Sequence, residues 1–181
     1  MPGPTFDPSG AVRFDLRSGA TQDARGERVL LLPSNALDGV DEATLAKLGA
    51  SLGRACGARV AARLGGADGV RRADIETVVA HLAGELALAG VGTLHIERWG
   101  RALVCVHGNA GIASEAFVAS TIAGAVGAAT GRDVSCASLG SEGETTRYLV
   151  ASSQTAAKAA NLIADGVHYA EVLGVLQGAS S

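Results

Sequence analysis

Three glycines recur at intervals of four residues inside one strongly helical stretch, 45–64: Gly49, Gly53 and Gly57. Because positions four apart stack almost in line on a helix, one side of this helix has hardly any side chains. A glycine inside a helix costs about 1 kcal/mol relative to alanine, so a close contact must compensate for the stripe. The pattern predicts a second helix, a sheet or a bound ligand directly against it. Close packing on a helix is the ordinary use of such residues, and we also consider a subunit interface.

The composition of the chain restricts both its core and its partners. The 181 residues suffice for one domain with its own core. Only 3% of them are aromatic although 48% are hydrophobic, so small aliphatic side chains must fill that core. The net charge is −3, and the one local group of arginines (59, 63, 71 and 72) is typical of a solvated face. Few aromatics and no basic stripe argue against nucleic-acid binding.

Targeting and membrane signals are not visible in the sequence. The first thirty residues contain no apolar segment of the signal-peptide type. The longest uncharged run, 116–131, is too short and too weakly apolar to span a bilayer. Three widely spaced cysteines, Cys56, Cys105 and Cys136, fit neither a disulfide framework nor a paired zinc knuckle. We expect a cytoplasmic protein with a flexible arm over 1–10 and a single domain over 11–181.

The hydrophobic pattern predicts an α+β domain of antiparallel β-hairpins with about four helices packed on one side of the sheet. The elements are predicted as follows: a hairpin of strands 12–16 and 28–32 with a long polar tip, a helix over 45–64 with Asp41 as N-cap, a break at 65–73, a helix over 74–89, a hairpin over 92–109, a helix begun by Ser114 and ended by Gly131, strands over 133–139 and 145–151, and a helix over 155–176 with a weak point at Gly166.

The central hairpin has a well-specified register because its apolar residues alternate. Pairing of position 98 with 101 places four residues on one face: Leu94, Ile96, Leu103 and Cys105. That face is predicted to belong to the core. Thr93, His95 and Glu97 then lie on the opposite face.

None of the four histidines is assigned to a site: His81, His95, His107 and His168. Two of them have a glutamate within one helical turn, Glu85 and Glu171, which is typical of partly exposed ion pairs rather than an acid–base dyad. A metal site in the central hairpin would need a third ligand that the sequence does not indicate. Phosphate-loop, nucleophile-elbow and zinc-protease motifs do not occur. The sequence therefore assigns no catalytic residue, no metal and no cofactor.

Three stretches between Leu32 and Ser152 resemble the 4-vinyl reductase domain family, also called hydrocarbon-binding domains: LGASLGRACGARVAARL, GVGTLHIERWGRALVCVHGN and EAFVASTIAGAVGAATGRDVSCASLG. The resemblance implies the fold shared by TRAPP vesicle-tethering subunits and haem nitric-oxide-binding sensors. It also implies a domain that binds or senses ligands, or assembles with partners. Zinc-binding members carry cysteines and an acid near the last hairpin. Here those positions are Ser138, Thr146 and Ser135, and Cys136 is displaced, so zinc is not expected there.

The resulting hypothesis is a non-catalytic sensory or accessory domain that holds an apolar small molecule or lipid between helices and sheet. Its predicted interior pocket is lined by Leu82, Leu86, Ile96, Cys105, Phe117 and Ile122. The alternative is a homodimeric scaffold subunit that uses the glycine stripe or the Ala-rich last helix as its interface. A third hypothesis, that the protein is an enzyme, is disfavoured because its titratable residues are dispersed along the sequence.

Overall fold

The chain alternates between short β-hairpins and helices. The computed structural model describes residues 6–9, 12–23, 25–99, 102–109, 111 and 114–178. Its elements are β1 (Val12–Asp15), β2 (Ala20–Asp23), β3 (Arg28–Val29), a 3₁₀ turn (Ser34–Leu37), α1 (Glu42–Arg63), α2 (Gly66–Arg72), α3 (Ile75–Leu88), β4 (Gly92–Trp99), β5 (Ala102–Asn109), α4 (Glu115–Thr130), β6 (Ser135–Glu142), β7 (Thr145–Ala151), α5 (Ser153–Ala164) and α6 (Tyr169–Gly178).

An antiparallel sheet of strand order β4–β5–β7–β6 forms the middle layer, as expected for an α+β domain. Cys105 and Tyr148 face the core shared with α1, α3 and α4, whereas Val104 and Leu149 face α5 and α6. The helices thus cover both faces, and the prediction that they pack on one side is wrong. The reason is that neighbouring strand residues such as Val104 and Cys105 are both apolar, so each face has a core to bury.

Helix boundaries follow the capping signals in the sequence. The Asp41 carboxylate accepts a hydrogen bond from the Thr44 amide at 2.9 Å, and Ser114 Oγ accepts one from the Phe117 amide at 3.1 Å. Gly131 ends α4 in the left-handed conformation, at φ 67°. The predicted starts of α1 and α4 and the end of α4 are therefore confirmed.

Helix α4 covers the glycine stripe along its length. A Cβ atom at each of the three glycines would overlap a backbone carbonyl of α4, in the order Phe117, Thr121 and Ala125. In return, a Cβ at Gly124 of α4 would lie 2.7 Å from the carbonyl oxygen of Ala50. The predicted close packing is thus an intramolecular helix pair. It leaves a second subunit no access to Gly49, Gly53 and Gly57.

Six α-helices occur in the described residues rather than about four. The predicted break at 65–73 contains α2, which follows Gly65 at φ 85°. Arg71 fixes this short helix to α4 through a 3.0 Å hydrogen bond to the carbonyl of Thr130. The predicted last helix divides into α5 and α6 because Gly166 adopts φ 82°.

Two β-hairpins also differ from prediction. The polar tip predicted between the first strands contains β2, so the N-terminal hairpin is a three-stranded sheet. In the central hairpin position 98 pairs with 103 instead of 101. This two-residue shift keeps every side chain on its predicted face, since strand residues alternate with period two. Ile96 is directly opposite Cys105.

The predicted N-terminal arm falls largely outside the described residues. Within 6–9, the Phe6 ring packs edge-on against His81, with centroids 5.9 Å apart. Among the helices in the described ranges, none combines the length and hydropathy that a bilayer crossing requires.

Candidate functional site

Two buried carboxylates and two arginines form a charged cluster between β2, α1 and α3. Glu85 on α3 is 1% exposed, and its Oε2 accepts a 2.5 Å hydrogen bond from Arg59 Nε. Arg63 pairs with the other oxygen of Glu85. Asp23 on β2 is 6% exposed, and its Oδ2 lies 3.5 Å from Arg59 Nη1. The four residues are named here the charged cluster.

The helical period explains why these side chains meet. Arg59 and Arg63 are four residues apart and project from the same side of α1. They face Glu85 on α3, where an unpaired carboxylate would be strongly disfavoured. Arg63 also lies over the Phe6 ring, at 5.1 Å from its centroid. Arg59 is half-buried rather than part of a solvated face, whereas Arg63 is exposed as predicted.

The His81–Glu85 prediction also needs correction. Both side chains are buried rather than partly exposed, and Glu85 pairs with arginines of α1. Burial follows from the neighbouring Leu82 and Leu86, which bring this side of α3 into the core.

A cavity of about 280 Å³ opens beside the charged cluster. Its apolar walls come from the N-terminal sheet, the segment after β3, α1 and α3: Val12, Val29, Leu30, Leu31, Leu52 and Leu88. The charged cluster, together with Glu27 and Arg28, forms its polar part. The cavity thus combines apolar walls with a few convergent polar groups, the usual make-up of a small-molecule site.

Asp23 lines this cavity, and its two carboxylate oxygens differ in their hydrogen bonds. Its Oδ1 accepts from the amides of Arg25 and Glu27, at 2.9 and 3.0 Å, and so closes the β2–β3 turn. Its Oδ2 is buried and receives no hydrogen bond from the described residues. Its nearest cations are Arg59 Nη1 at 3.5 Å and Arg25 Nε at 3.9 Å, so it is ion-paired and can still accept a hydrogen bond.

Cys56 lies next to the charged cluster but is a poor nucleophile. Its Sγ is 3.3 Å from Arg59 Nη2. Burial raises the pKa of the thiol to about 11, although the nearby Arg59 charge opposes the shift. Burial likewise raises the pKa of Cys105 to about 12. Both groups are therefore protonated thiols near neutral pH.

The six residues of the predicted interior pocket lie together in the core between the sheet and α1, α3 and α4. Five are buried there, and Ile96 packs against them half-buried. Ile96 also lines a groove of about 320 Å³ between α3 and β4. The interior pocket itself stays a prediction.

The remaining histidines occupy separate places. His107 is buried, with Nε2 2.6 Å from the carbonyl oxygen of Val91, on the opposite face of the hairpin from His95. His168 precedes α6, where its Nδ1 accepts from the Ala170 amide at 3.3 Å. Within the ranges that the structure describes, no group of three or more His, Cys, Asp or Glu side chains is placed to hold a metal ion.

Sequence reasoning missed Asp23 and the burial of Glu85. A signal was present in the i, i+4 spacing of Arg59 and Arg63 on a helix whose flanks are apolar. A second was Glu85, a lone acid within the apolar run LAGELALAG. Together they indicate an arginine–carboxylate contact between the two helices, because an isolated charge is rarely buried without a partner.

Comparisons with known proteins give little further information. No family model matches the chain, and no curated protein is similar to it in sequence. One similar solved structure is the phenol-responsive sensory domain of the transcription activator PoxR, crystallised with phenol. It is 13% identical, with a TM-score of 0.47 over 78% of this chain and 85% of that chain. We take neither a ligand nor a function from a likeness at this level.

Proposed function

We propose that the chain is a non-catalytic sensory or accessory domain that binds a small, mainly apolar molecule bearing one hydroxyl or amine. The observation that carries this proposal is Asp23 Oδ2, a buried acceptor at an apolar-walled cavity that receives no hydrogen bond from the described residues. A ligand hydroxyl or N–H would supply the donor, and its apolar body would replace water along the leucine walls.

Size and charge narrow the ligand class. The volume of about 280 Å³ is at the small end for ligand sites, which favours a compact ligand over a long lipid. The charged side chains that line the cavity are three acids and three arginines: Asp23, Glu27, Glu85, Arg28, Arg59 and Arg63. Their formal charges cancel, so the cavity favours a neutral molecule over an ion.

A binding role fits the state of the ionisable groups better than catalysis does. The Glu85 carboxylate is already paired with two arginines, which occupy both of its oxygens. Cys56, with its raised pKa, is not an activated nucleophile. Both observations support a site that orients a ligand without transforming it.

Matched ligands test the donor requirement directly. We expect p-cresol to raise the melting temperature and to give a calorimetric binding signal, whereas toluene, which lacks the hydroxyl, binds about tenfold more weakly. Asp23→Asn replaces the acceptor at Oδ2 with an amide donor and should remove most of this preference. Asp15→Asn is the control, because Asp15 closes the preceding turn through similar hydrogen bonds. Equal binding of both ligands, or an unchanged preference in Asp23→Asn, would contradict the proposal.

The order of elements supports membership of the 4-vinyl reductase family, which we include in the proposal. A glycine-striped helix, a hairpin, a second helix with a small-residue face and a second hairpin follow one another as α1, β4–β5, α4 and β6–β7. Native mass spectrometry tests the interior pocket that this family resemblance implies. A persistent adduct of lipid size would support the predicted pocket rather than the cavity at Asp23.

A dimeric scaffold is the second candidate, favoured by exposed leucines that follow β3. Leu30, Leu31 and Leu32 are 79, 61 and 60% exposed. Consecutive exposed apolar residues are typical of protein contacts. Sedimentation velocity at micromolar concentration, for the natural chain and Leu31→Ser, tests this candidate. It requires a dimer that the substitution weakens, and a monomeric natural chain would contradict it.

A further inference from the structure

A second cavity lies on the other side of the sheet, where the chain turns from α5 into α6. It has a volume of about 360 Å³. Leu139, Ile163 and Val167 give it an apolar surface. Its polar lining consists of Ser141, Glu142, Arg147, His168 and Tyr169. It shares no lining residue with the cavity at Asp23.

Arg147 is held rigidly in the polar lining of this cavity. Its Nε and Nη2 donate to the two oxygens of Glu97, at 3.2 and 3.4 Å, and its Nη1 donates to Glu142 at 3.0 Å. The guanidinium also lies over the Tyr169 ring, 5.0 Å from its centroid. These contacts use three N–H groups, so one N–H on each of Nη1 and Nη2 has no acceptor among the described residues. A carboxylate is the natural acceptor for such a pair of donors.

Charge balance decides what else the ligand must carry. Arg147 already has two acidic partners, Glu97 and Glu142, so a simple anion would add a third negative charge to one positive charge. Glu142 is 77% exposed and lies beside Arg147, where a ligand ammonium group can reach it. A ligand with an ammonium next to its carboxylate satisfies both residues without changing the net charge. Its apolar side chain would then lie against Leu139, Ile163 and Val167.

The geometry points to a binding site for a free α-amino acid with an apolar side chain in the cavity between β6, β7 and the α5–α6 turn. Arg147 binds the carboxylate and Glu142 binds the ammonium group. The site is separate from the cavity of the proposed function and does not depend on it. Trp99, the single tryptophan of the chain, packs edge-on against Tyr169 with centroids 5.5 Å apart, so its fluorescence reports on occupancy.

Three ligands of one carbon skeleton test the two charged contacts. The probes are L-leucine, 4-methylpentanoate, which lacks the ammonium group, and 3-methylbutylamine, which lacks the carboxylate. We expect L-leucine to change the Trp99 emission saturably and to give a calorimetric signal, and each analogue to bind about fivefold more weakly or worse. Equal binding of an analogue, or no saturable response to L-leucine, would overturn the inference.

Two variants that each remove one negative charge test whether the ligand ammonium group binds Glu142. Glu142→Gln should weaken L-leucine binding about fivefold and should improve binding of 4-methylpentanoate, since it removes a repelling charge. Glu144→Gln removes the same charge from the exposed β6–β7 turn and should leave both affinities unchanged. Equal effects of the two variants would overturn the inference. Asp23→Asn should bind L-leucine normally, so failure of the proposed function does not affect this test.

Discussion

The backbone of Gly53 lies directly on the carbonyl group of Thr121. A Cβ atom built on Gly53 would be 2.9 Å from the carbonyl carbon of Thr121 and would overlap its oxygen. The same relationship recurs one turn away on each side, at Gly49 and Gly57. The helices α1 and α4 therefore meet through main-chain atoms. Dispersion contacts between them compensate for the free-energy cost of placing glycines inside a helix.

Gly53→Leu should lower the free energy of unfolding by about 2–3 kcal/mol or more, because the added side chain has no space. The comparison variant is Gly174→Ala on α6, where a Cβ meets nothing within 4 Å. That change should stabilise the chain by about 0.5–1 kcal/mol through helix propensity. Thermal and urea denaturation measure both. A higher melting temperature for Gly53→Leu would show that α1 and α4 are not packed as described.

Glu85→Gln should cost about 3 kcal/mol of stability, because it leaves Arg59 and Arg63 with an uncompensated positive charge beside the core. Glu76→Gln is the matched control, since Glu76 forms an exposed 3.5 Å pair with Arg98. Its effect should be below about 1 kcal/mol. Urea titration of the two variants decides the point, and similar midpoints would argue that Glu85 is not buried.

Acid should destabilise α3 through its N-cap. Hydrogen bonds from the Thr77 amide and hydroxyl lower the pKa of Asp74 below its ordinary value. A group whose folded pKa is depressed stabilises the fold above its unfolded pKa of about 3.9, and this contribution is lost as the pH falls through the folded pKa. Asp74→Asn keeps a capping oxygen but has no charge to titrate. Its melting temperature should therefore fall less than that of the natural chain between about pH 5.5 and pH 2.5. Parallel curves would contradict this assignment.

The three thiols should react slowly with Ellman's reagent in the folded protein. Cys56 and Cys105 are buried, with pKa values raised to about 11 and about 12, and burial also raises the pKa of Cys136. Little thiolate is present near pH 8, and access is limited as well. All three should react at once in guanidinium chloride. Fast reaction of one thiol in the native state would reveal local opening at that cysteine.

Local signals in the sequence were enough to predict much of the fold. Asp41, Ser114 and Gly131 set helix ends through bonds to their immediate neighbours, so their roles are readable without tertiary information. The faces of the central hairpin follow from alternation alone, whereas its exact pairing does not, because alternation is the same in registers two residues apart. The glycine stripe predicted its close neighbour, but nothing in the stripe distinguishes a helix of the same chain from that of another.

The candidate site was harder to predict from the sequence, because it depends on contacts between segments that are distant along the chain. Asp23 reaches the cavity only because β2 folds back within a stretch that reads as a polar loop. Arg59 and Glu85 are typical surface residues by type, and only the packing of α1 on α3 buries Glu85 and half-buries Arg59. The cavity at the α5–α6 turn likewise required the chain to reverse at Gly166, which the sequence indicated only as a weak point.

The direct backbone contact between α1 and α4 also bears on how this domain can move. Side chains that interdigitate can absorb a small shift by changing rotamer, but carbonyl groups and α-carbons have no such freedom. We therefore expect the two helices to move together as one rigid body. A displacement that a ligand causes in α1 or α4 is therefore expected to move both helices.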